Sequence, residues 1–322
     1  MRGTLNIGLV CIGSILFFSG CQSLVTQQIE TAESYPFDNR MVQQMKTEYG
    51  LEKKHSCWQE NMCYSYLYAP EQSARQHIKT TIEADFSGKS FESKLHIFRD
   101  KLPTFSGNVI ILHGFRGSKE WMAISAAYFQ FLGFNVFIPD LLGHGESNQA
   151  KGFGVKDVDY LLDFIDREIS QNTPLLIVGN SMGALPALNL ATKIATLGVI
   201  LQAPMLRFDQ AVPAYLNDNS PWYKFMLSDQ VLADGAAAAL INADIELSST
   251  DITTSLRTIR IPTLIFASDT DSVAPYGKYR TFDSELIKVI KVKNRQHAYM
   301  SMIGQQEHQV IIDWMEKWGI GK

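Results

Sequence analysis

A serine between two glycines offers the clearest chemistry in the chain. Residues 179–183 read Gly-Asn-Ser-Met-Gly, after the apolar run 175–178 and before the apolar stretch 184–188. This order predicts a strand, a sharp turn and a helix, and the turn needs very small residues two positions before and after the serine. Serines between glycines also occur in ordinary turns. Ser181 is therefore a candidate nucleophile only if the chain also supplies a base, a carboxylate and an oxyanion site.

His297 is the candidate base. A serine hydroxyl becomes a good nucleophile when a base takes its proton. Of the seven histidines, His297 is the best placed, because it follows the last apolar run, 286–292, and precedes the last helical pattern, 307–318. A loop at that position is expected at the carboxyl edge of a sheet, close to Ser181. A lone loop histidine is otherwise more often a surface residue.

Two aspartates compete to be the carboxylate that fixes the tautomer of the histidine and stabilises its imidazolium. They occupy positions 269 and 271, directly after the apolar run 263–267. We favour Asp271, which is followed by Ser-Val-Ala-Pro, and keep Asp269 as the alternative. The chain order Ser181, Asp271, His297 is the one that a serine at a strand–helix turn requires in this kind of sheet.

The candidate oxyanion site consists of two backbone amides. The Met182 amide follows the nucleophile at a helix start, where developing negative charge is stabilised. A second donor is expected in the loop after the apolar run 108–112, which reads His-Gly-Phe-Arg-Gly over 113–117. We predict that Phe115 supplies this amide and that Gly114 allows the close approach. His113 is predicted to be a structural hydrogen-bonding residue rather than a base.

The alternation of apolar runs and helical patterns along the chain predicts the fold that would position these residues. From residue 108 onward, short apolar runs alternate with helical periodicity, which favours a mostly parallel, doubly wound α/β sheet flanked by helices. Alternating residues over 77–86 and 90–98 predict an antiparallel hairpin. Strands are predicted at 108–112, 134–138, 175–178, 197–201, 263–267 and 286–292, and helices at 120–132, 156–169, 182–194 and 307–318.

The interval from about 204 to 260 departs from this alternation, because it has no clear strand pattern. We interpret it as a helical cap inserted over the carboxyl edge of the sheet. Its large apolar side chains could line a pocket, or they could simply hold the cap to the sheet. These side chains are Phe208, Tyr215, Trp222, Tyr223, Phe225 and Met226.

The N-terminus predicts export. Residues 1–20 combine Arg2, an apolar stretch and small residues before Cys21, which is typical of a signal peptide and too short for a membrane span. The small-small-Cys ending resembles the lipobox of bacterial lipoproteins. That resemblance implies cleavage before Cys21, lipid on its thiol and new amino group, and, since Gln22 is not aspartate, outer-membrane sorting in a diderm bacterium. An ordinary signal peptide or an uncleaved anchor is the alternative.

We expect three parts in the chain: the signal peptide, a tether and small N-terminal segment at 21–72, and one hydrolytic domain at 73–322 that includes the cap. In an oxidising compartment, Cys57 and Cys63 are expected to form a local disulfide, with two reduced thiols as the alternative. The net charge of −4 and the lack of a basic stripe argue against a nucleic-acid partner. No metal site or organic cofactor is expected.

Residues from about 105 to 318 resemble the α/β-hydrolases. Within that superfamily they are similar to the group of monoglyceride lipases, lysophospholipases and the serine aminopeptidase S33 family. The resemblance rests on His-Gly-Phe at 113–115, Pro-Asp-Leu-Leu-Gly-His-Gly-Glu-Ser at 139–147, the serine segment at 179–183, Asp271 and His297. It implies an α/β-hydrolase fold and an acyl-transfer reaction with a Ser-Asp-His triad.

The chain departs from the pattern of this group at three positions. Leu142 stands where relatives usually carry arginine, Ser268 where glycine begins the acid loop, and Gln296 where glycine precedes the histidine. None of these departures removes a catalytic group. The His-Gly-Phe sequence also differs from the loop of proline iminopeptidases, which argues against that activity.

The expected function is hydrolysis of carboxylic esters, which include monoacylglycerols and lysophospholipids, with attachment to the membrane through the lipid on Cys21. An S33-like aminopeptidase or amidase is the second interpretation, and it needs a cap carboxylate to hold a free amine. A binding lipoprotein with a hydrolase fold and no activity is the third. The carboxylates available in the cap are Asp209, Asp218, Asp229, Asp234, Asp244 and Glu246.

Overall fold

A computed structural model describes residues 21–321, except 59–61, 73, 87–88, 171 and 220–225. The signal peptide predicted at 1–20 lies outside the described residues. So do three of the cap aromatics, Trp222, Tyr223 and Phe225. Within the described part of the chain, no helix combines the length and the apolar character that a membrane span requires.

Eight of the ten strands among the described residues form the main sheet, in the order β1-β2-β6-β5-β7-β8-β9-β10, and β3 and β4 form a separate hairpin. The sheet is parallel from β6 to β10, and β1 and β2 continue it in antiparallel fashion. The strands are β1 (Glu52–Trp58), β2 (Met62–Ala69), β3 (His77–Phe86), β4 (Lys89–Phe98), β5 (Gly107–Leu112), β6 (Phe134–Pro139), β7 (Leu175–Asn180), β8 (Gly198–Gln202), β9 (Thr263–Ser268) and β10 (Ile287–Val292).

Helices cover this sheet and fill the interval between β8 and β9. They are α1 (21–30), α2 (Asn39–Tyr49), α3 (Ala123–Leu132), α4 (Asp157–Glu168), α5 (Ala184–Lys193), α6 (Phe208–Asn219), α7 (Asp229–Asn242), α8 (Thr253–Thr258), α9 (Tyr276–Tyr279) and α10 (Gln305–Trp318). The predicted parallel α/β sheet is confirmed, with each predicted strand within two residues of its expected bounds.

The central strands are buried along their whole length. All six residues of β5 and of β9, and all five of β8, are buried. Parallel strands covered by helices on both faces have near-continuous apolar sequences, which is why these runs stand out. The carboxyl ends of β5, β7, β9 and β10 meet at one edge of the sheet, where α/β proteins place their sites.

The domain boundary predicted between residues 72 and 73 is wrong, because the main sheet includes strands from before it. β2 pairs with β6 through Tyr66 and Pro139 and with β1 on its other side, so the α/β domain already includes residues 52–69. β1 is the edge strand and exposes charged residues such as Lys53, which gives it the polar character expected of a tether. Cys57 and Cys63 face each other across this strand pair, and their sulfurs are bonded at 1.96 Å.

Candidate active site

The backbone around Ser181 forms the sharp turn that the glycines predicted. β7 ends at Asn180, and Ser181 has φ of 52°, a left-handed conformation that is rare and strained for a residue with a side chain. A β-carbon at position 179 would lie 2.6 Å from the Gly183 carbonyl oxygen. A β-carbon at 183 would lie 2.3 Å from the Leu112 carbonyl oxygen. Both positions therefore require glycine.

The structure brings Ser181, His297 and Asp271 into one hydrogen-bonded chain. Ser181 Oγ lies 2.8 Å from His297 Nε2, and His297 Nδ1 lies 2.8 Å from Asp271 Oδ2. In the tautomer that suits this geometry, Nδ1–H donates to the carboxylate and Nε2 accepts the serine proton. The Asp271 side chain is fully buried, whereas that of His297 keeps 13% of its surface exposed. This arrangement can activate the serine hydroxyl.

The two competing aspartates have different environments. Asp271 Oδ1 accepts hydrogen bonds of 2.9 Å from the amides of Val273 and Ala274, so the residues that follow the aspartate orient its carboxylate. Asp269 turns away from the histidine. Its Oδ1 accepts from the Asn294 amide, which lowers its pKa, and its Oδ2 lies 3.0 Å from Lys291 Nζ. Only Asp271 contacts His297.

The two predicted oxyanion donors both lie beside Ser181. Met182 follows it at the start of the helical turn and is fully buried. In the loop after β5, a β-carbon at Gly114 would lie 3.0 Å from Ser181 Cβ, so this loop passes directly against the nucleophile. Phe115 comes next and lines the same cavity as Ser181. Amides at these positions can stabilise charge that develops on a carbonyl oxygen.

A family model described as serine aminopeptidase, S33, matches residues 104–228. A solved structure of a putative lipase from Acinetobacter baumannii AYE aligns over 89% of this chain and 99% of its own, with 16% identity and a TM-score of 0.59. The chain therefore has the fold of the α/β-hydrolases. No curated protein matches it.

Two further structures share the hydrolase fold. A membrane phospholipase A, described as a bacterial virulence factor, aligns over 97% of this chain and 98% of its own, with 16% identity and a TM-score of 0.58. An esterase from Pyrococcus furiosus aligns over 85% of this chain and 93% of its own, with 14% identity and a TM-score of 0.56. At such identities the likeness shows the fold alone.

Two other histidines lie near the site and have structural contacts. His113 Nδ1 donates to the Gly114 carbonyl at 2.9 Å, while its Nε2 accepts from the Leu141 amide at 3.0 Å. His144 Nδ1 donates to the Leu142 carbonyl. Burial lowers the pKa of both imidazoles, so they stay neutral. Both nitrogens of His113 are occupied, and it shapes the loop instead of acting as a base.

A buried ion pair that sequence reasoning missed supports the neighbouring loop. Lys119 Nζ lies 2.7 Å from Asp140 Oδ2, and both side chains are fully buried. The amides of Lys119 and Glu146 also donate to the Asp140 carboxylate. The pair therefore joins the loop after β5, which holds Phe115, to the loop after β6. Sequence spacing gave no signal for it, because 21 residues separate the two partners.

A second ion pair that the sequence did not predict stabilises the loop that contains His297. Arg295 Nη2 lies 3.1 Å from Glu307 Oε2, and Arg295 Nη1 donates to the Met302 carbonyl at 2.8 Å. The guanidinium also lies 5.1 Å from the centre of the Phe91 ring on β4. These contacts tie the loop that contains His297 to α10 and to the β3–β4 hairpin. Through these contacts the β3–β4 hairpin, which lies outside the main sheet, helps to position His297.

A cavity of about 200 Å³ opens beside the triad. Its apolar lining includes Phe208 and Leu216 of the cap, and Tyr215 is also part of the wall, so two of the predicted cap aromatics do line a pocket. Met226 is instead 69% exposed. None of the described lining residues is an aspartate or a glutamate. Unexpectedly, α1 and the residues after it, at 25–35, form another part of the wall.

We predict that Asp271→Asn lowers turnover by roughly 10⁴-fold, because an amide opposite Nδ1 favours the wrong histidine tautomer. Asp269→Asn is the matched control. It removes one carboxylate of the same loop without touching His297, so it should retain most of the activity. Steady-state kinetics on a chromogenic ester measure both variants. An active Asp271→Asn beside an inactive Asp269→Asn would reverse the assignment.

Proposed function

We propose that this hydrolase cleaves carboxylic esters of acyl chains through an acyl-enzyme on Ser181. The observation that carries the proposal is the continuous chain from Ser181 through His297 to Asp271 at the wall of an apolar cavity. A nucleophile with its base and its orienting carboxylate is the arrangement that acyl transfer requires. The apolar wall provides a surface for an acyl chain.

The reaction follows from this geometry in two halves. Ser181 Oγ attacks the ester carbonyl carbon while His297 Nε2 takes the hydroxyl proton, and the Phe115 and Met182 amides donate to the oxyanion. Collapse of the tetrahedral intermediate breaks the bond to the alcohol, which leaves with the proton from His297. Water then attacks the acyl-enzyme with the same base, and the fatty acid departs. Each amide donor contributes about 3 kcal/mol to the transition state.

The cavity favours an ester over an aminopeptidase substrate. A free substrate amine held in an apolar cavity would need a carboxylate partner. The described cap carboxylates lie elsewhere, and four of them have other partners. Asp209 lies 2.7 Å from Arg207 Nε, and Asp229 accepts a hydrogen bond from Asn217. The described part of the cavity wall therefore presents no carboxylate for the amine that an S33 aminopeptidase would bind.

We predict hydrolysis of p-nitrophenyl esters with acyl chains of four to twelve carbons and little turnover of aminoacyl anilides. The ratio of kcat/KM for the two substrate classes measures this preference. Ser181→Ala should lose the ester activity, which also separates the proposal from a binding protein without activity. A clear preference for the anilides would overturn the ester assignment.

One charged residue in the cavity wall points to the kind of ester. Arg116 lines the cavity, and its guanidinium lies 4.1 Å above the Tyr35 ring. It donates to the Tyr35 hydroxyl at 3.3 Å and to the Glu33 carbonyl at 2.9 Å. No described carboxylate lies within ion-pair distance of it. A half-buried guanidinium without a counter-ion suits a phosphate, so we propose a lysophospholipid substrate rather than a neutral monoacylglycerol.

Replacing Arg116 by methionine should raise KM for a lysophospholipid by roughly 10-fold or more, because a charge-assisted hydrogen bond contributes about 1.5–3 kcal/mol. The matched comparison is a monoacylglycerol with the same acyl chain, on the same variant. Its KM should change much less, since it has no phosphate. Equal losses for both substrates would mean that Arg116 supports only the structure of the wall.

We further propose that the hydrolase is exported and anchored through lipid on Cys21, in the outer membrane if the bacterium is diderm. The support is the lipobox-like sequence, in which small residues directly precede Cys21, and Cys21 is a free cysteine. Three acyl chains exceed the two signals that stable anchoring needs. Metabolic labelling with palmitate should mark the wild type and not Cys21→Ser. Equal labelling of both would refute the anchor.

A further inference from the structure

The helix that follows Cys21 is packed against the cap. Val25 lies against Gly235 of α7, where a β-carbon would come within 2.4 Å of Val25 Cγ1. Thr26 Oγ1 donates to the Gly235 carbonyl at 3.2 Å. At the other end of the pair, Asn242 Nδ2 donates to Glu30 Oε1 at 2.7 Å. α1 and α7 therefore run side by side at a close approach that glycine permits.

The inner face of α1 forms part of the cavity wall. Val25, Gln28, Ile29 and Ala32 all line the cavity that contains Ser181 and His297. Val25, Gln28 and Ile29 are spaced by three and four residues and share one face of α1, and Ala32 follows the end of the helix. Val25 and Ile29 are 8% and 7% exposed, as core residues would be. A segment that only tethered the domain would not bury these side chains beside the nucleophile.

The residues after α1 are attached to the oxyanion loop. The Tyr35 amide donates to the Arg116 carbonyl at 2.8 Å, and Ser34 Oγ donates to the Gly117 carbonyl at 2.9 Å. The Tyr35 hydroxyl lies 2.8 Å from that of Tyr215 on α6. This segment thus connects the cap to the loop that contains Phe115, and it closes one side of the site.

We infer that Val25, Gln28, Ile29 and Ala32 form one wall of the acyl-binding site and that Ile29 helps to set the acyl length accepted. The inference rests on the proposed ester hydrolysis and adds a binding element to it. Since Cys21 lies one helical turn before Val25, the proposed lipid attachment point belongs to the same helix as the substrate wall. Anchoring would then hold the acyl-binding wall next to the membrane that supplies acyl esters.

The test is an acyl-length profile on the full mature chain with two substitutions of opposite size. Ile29→Trp fills the cavity and should lower the ratio of kcat/KM for dodecanoate to that for butyrate by roughly 10-fold. Ile29→Ala enlarges the cavity and should move the preferred length to longer chains. Leu24→Trp is the matched control, because Leu24 is on the same helix and 63% exposed. It should leave the profile unchanged.

The outcomes separate this inference from the proposed function. An unchanged profile in Ile29→Ala, which removes atoms and introduces no clash, would overturn the inference even if Ile29→Trp fails to fold. The same shift in Leu24→Trp would also overturn it, because the effect would then not come from the cavity wall. If the wild type shows no Ser181-dependent turnover of any ester, the proposed function fails instead.

Discussion

The left-handed backbone of Ser181 is the constraint on which the site depends. A residue with a side chain in this conformation costs about 1–3 kcal/mol, and surrounding contacts must hold it there. Gly179 and Gly183 pack against backbone atoms on both sides of the turn, and the Met205 amide donates to the Ser181 carbonyl at 3.1 Å. These contacts leave the hydroxyl directed at His297. The turn also places Met182 at a helix start, where its amide can face an oxyanion.

Other elements bring their groups to this fixed point. Asp271 and His297 follow β9 and β10, which end at the same edge of the sheet as β7, so the parallel topology alone brings the loops together. The Arg295–Glu307 pair then restricts the histidine loop, and the Lys119–Asp140 pair restricts the loops beside Phe115. Buried pairs of this kind contribute more to geometry than to net stability, because desolvation offsets much of their attraction.

Much of the fold could be predicted because its signals are local. Strands buried on both faces require uninterrupted apolar runs, and the tight serine turn requires its glycines, so both appear directly in the sequence. The order of Ser181, Asp271 and His297 then suffices to place three distant residues at one sheet edge. The preference for Asp271 over Asp269 rested on the residues after it, and the amides of Val273 and Ala274 give that preference a physical basis.

The features that sequence reasoning missed depend on distant partners. β1 has the polar composition of an edge strand, and α1 has few apolar residues, so neither pattern distinguishes them from a tether. Val25 is buried because it packs against Gly235, which lies far away in the sequence. Thr26, the next residue, also bonds to Gly235 across a separation of 209 residues. Arg116 likewise points to a phosphate-containing substrate only because the described residues that line the cavity include no carboxylate. In the function proposed above, the cap and the N-terminal segment decide which substrates reach Ser181.

The most direct test of the central claim is to map where a fluorophosphonate probe attaches to the folded wild-type chain. We predict one covalent adduct, on the peptide that contains Ser181, detected by mass spectrometry after proteolysis. Labelling should be fast, because His297 already lies within hydrogen-bond distance of the hydroxyl. An adduct on a different residue, or no adduct on chain shown to be folded by circular dichroism, would contradict the account.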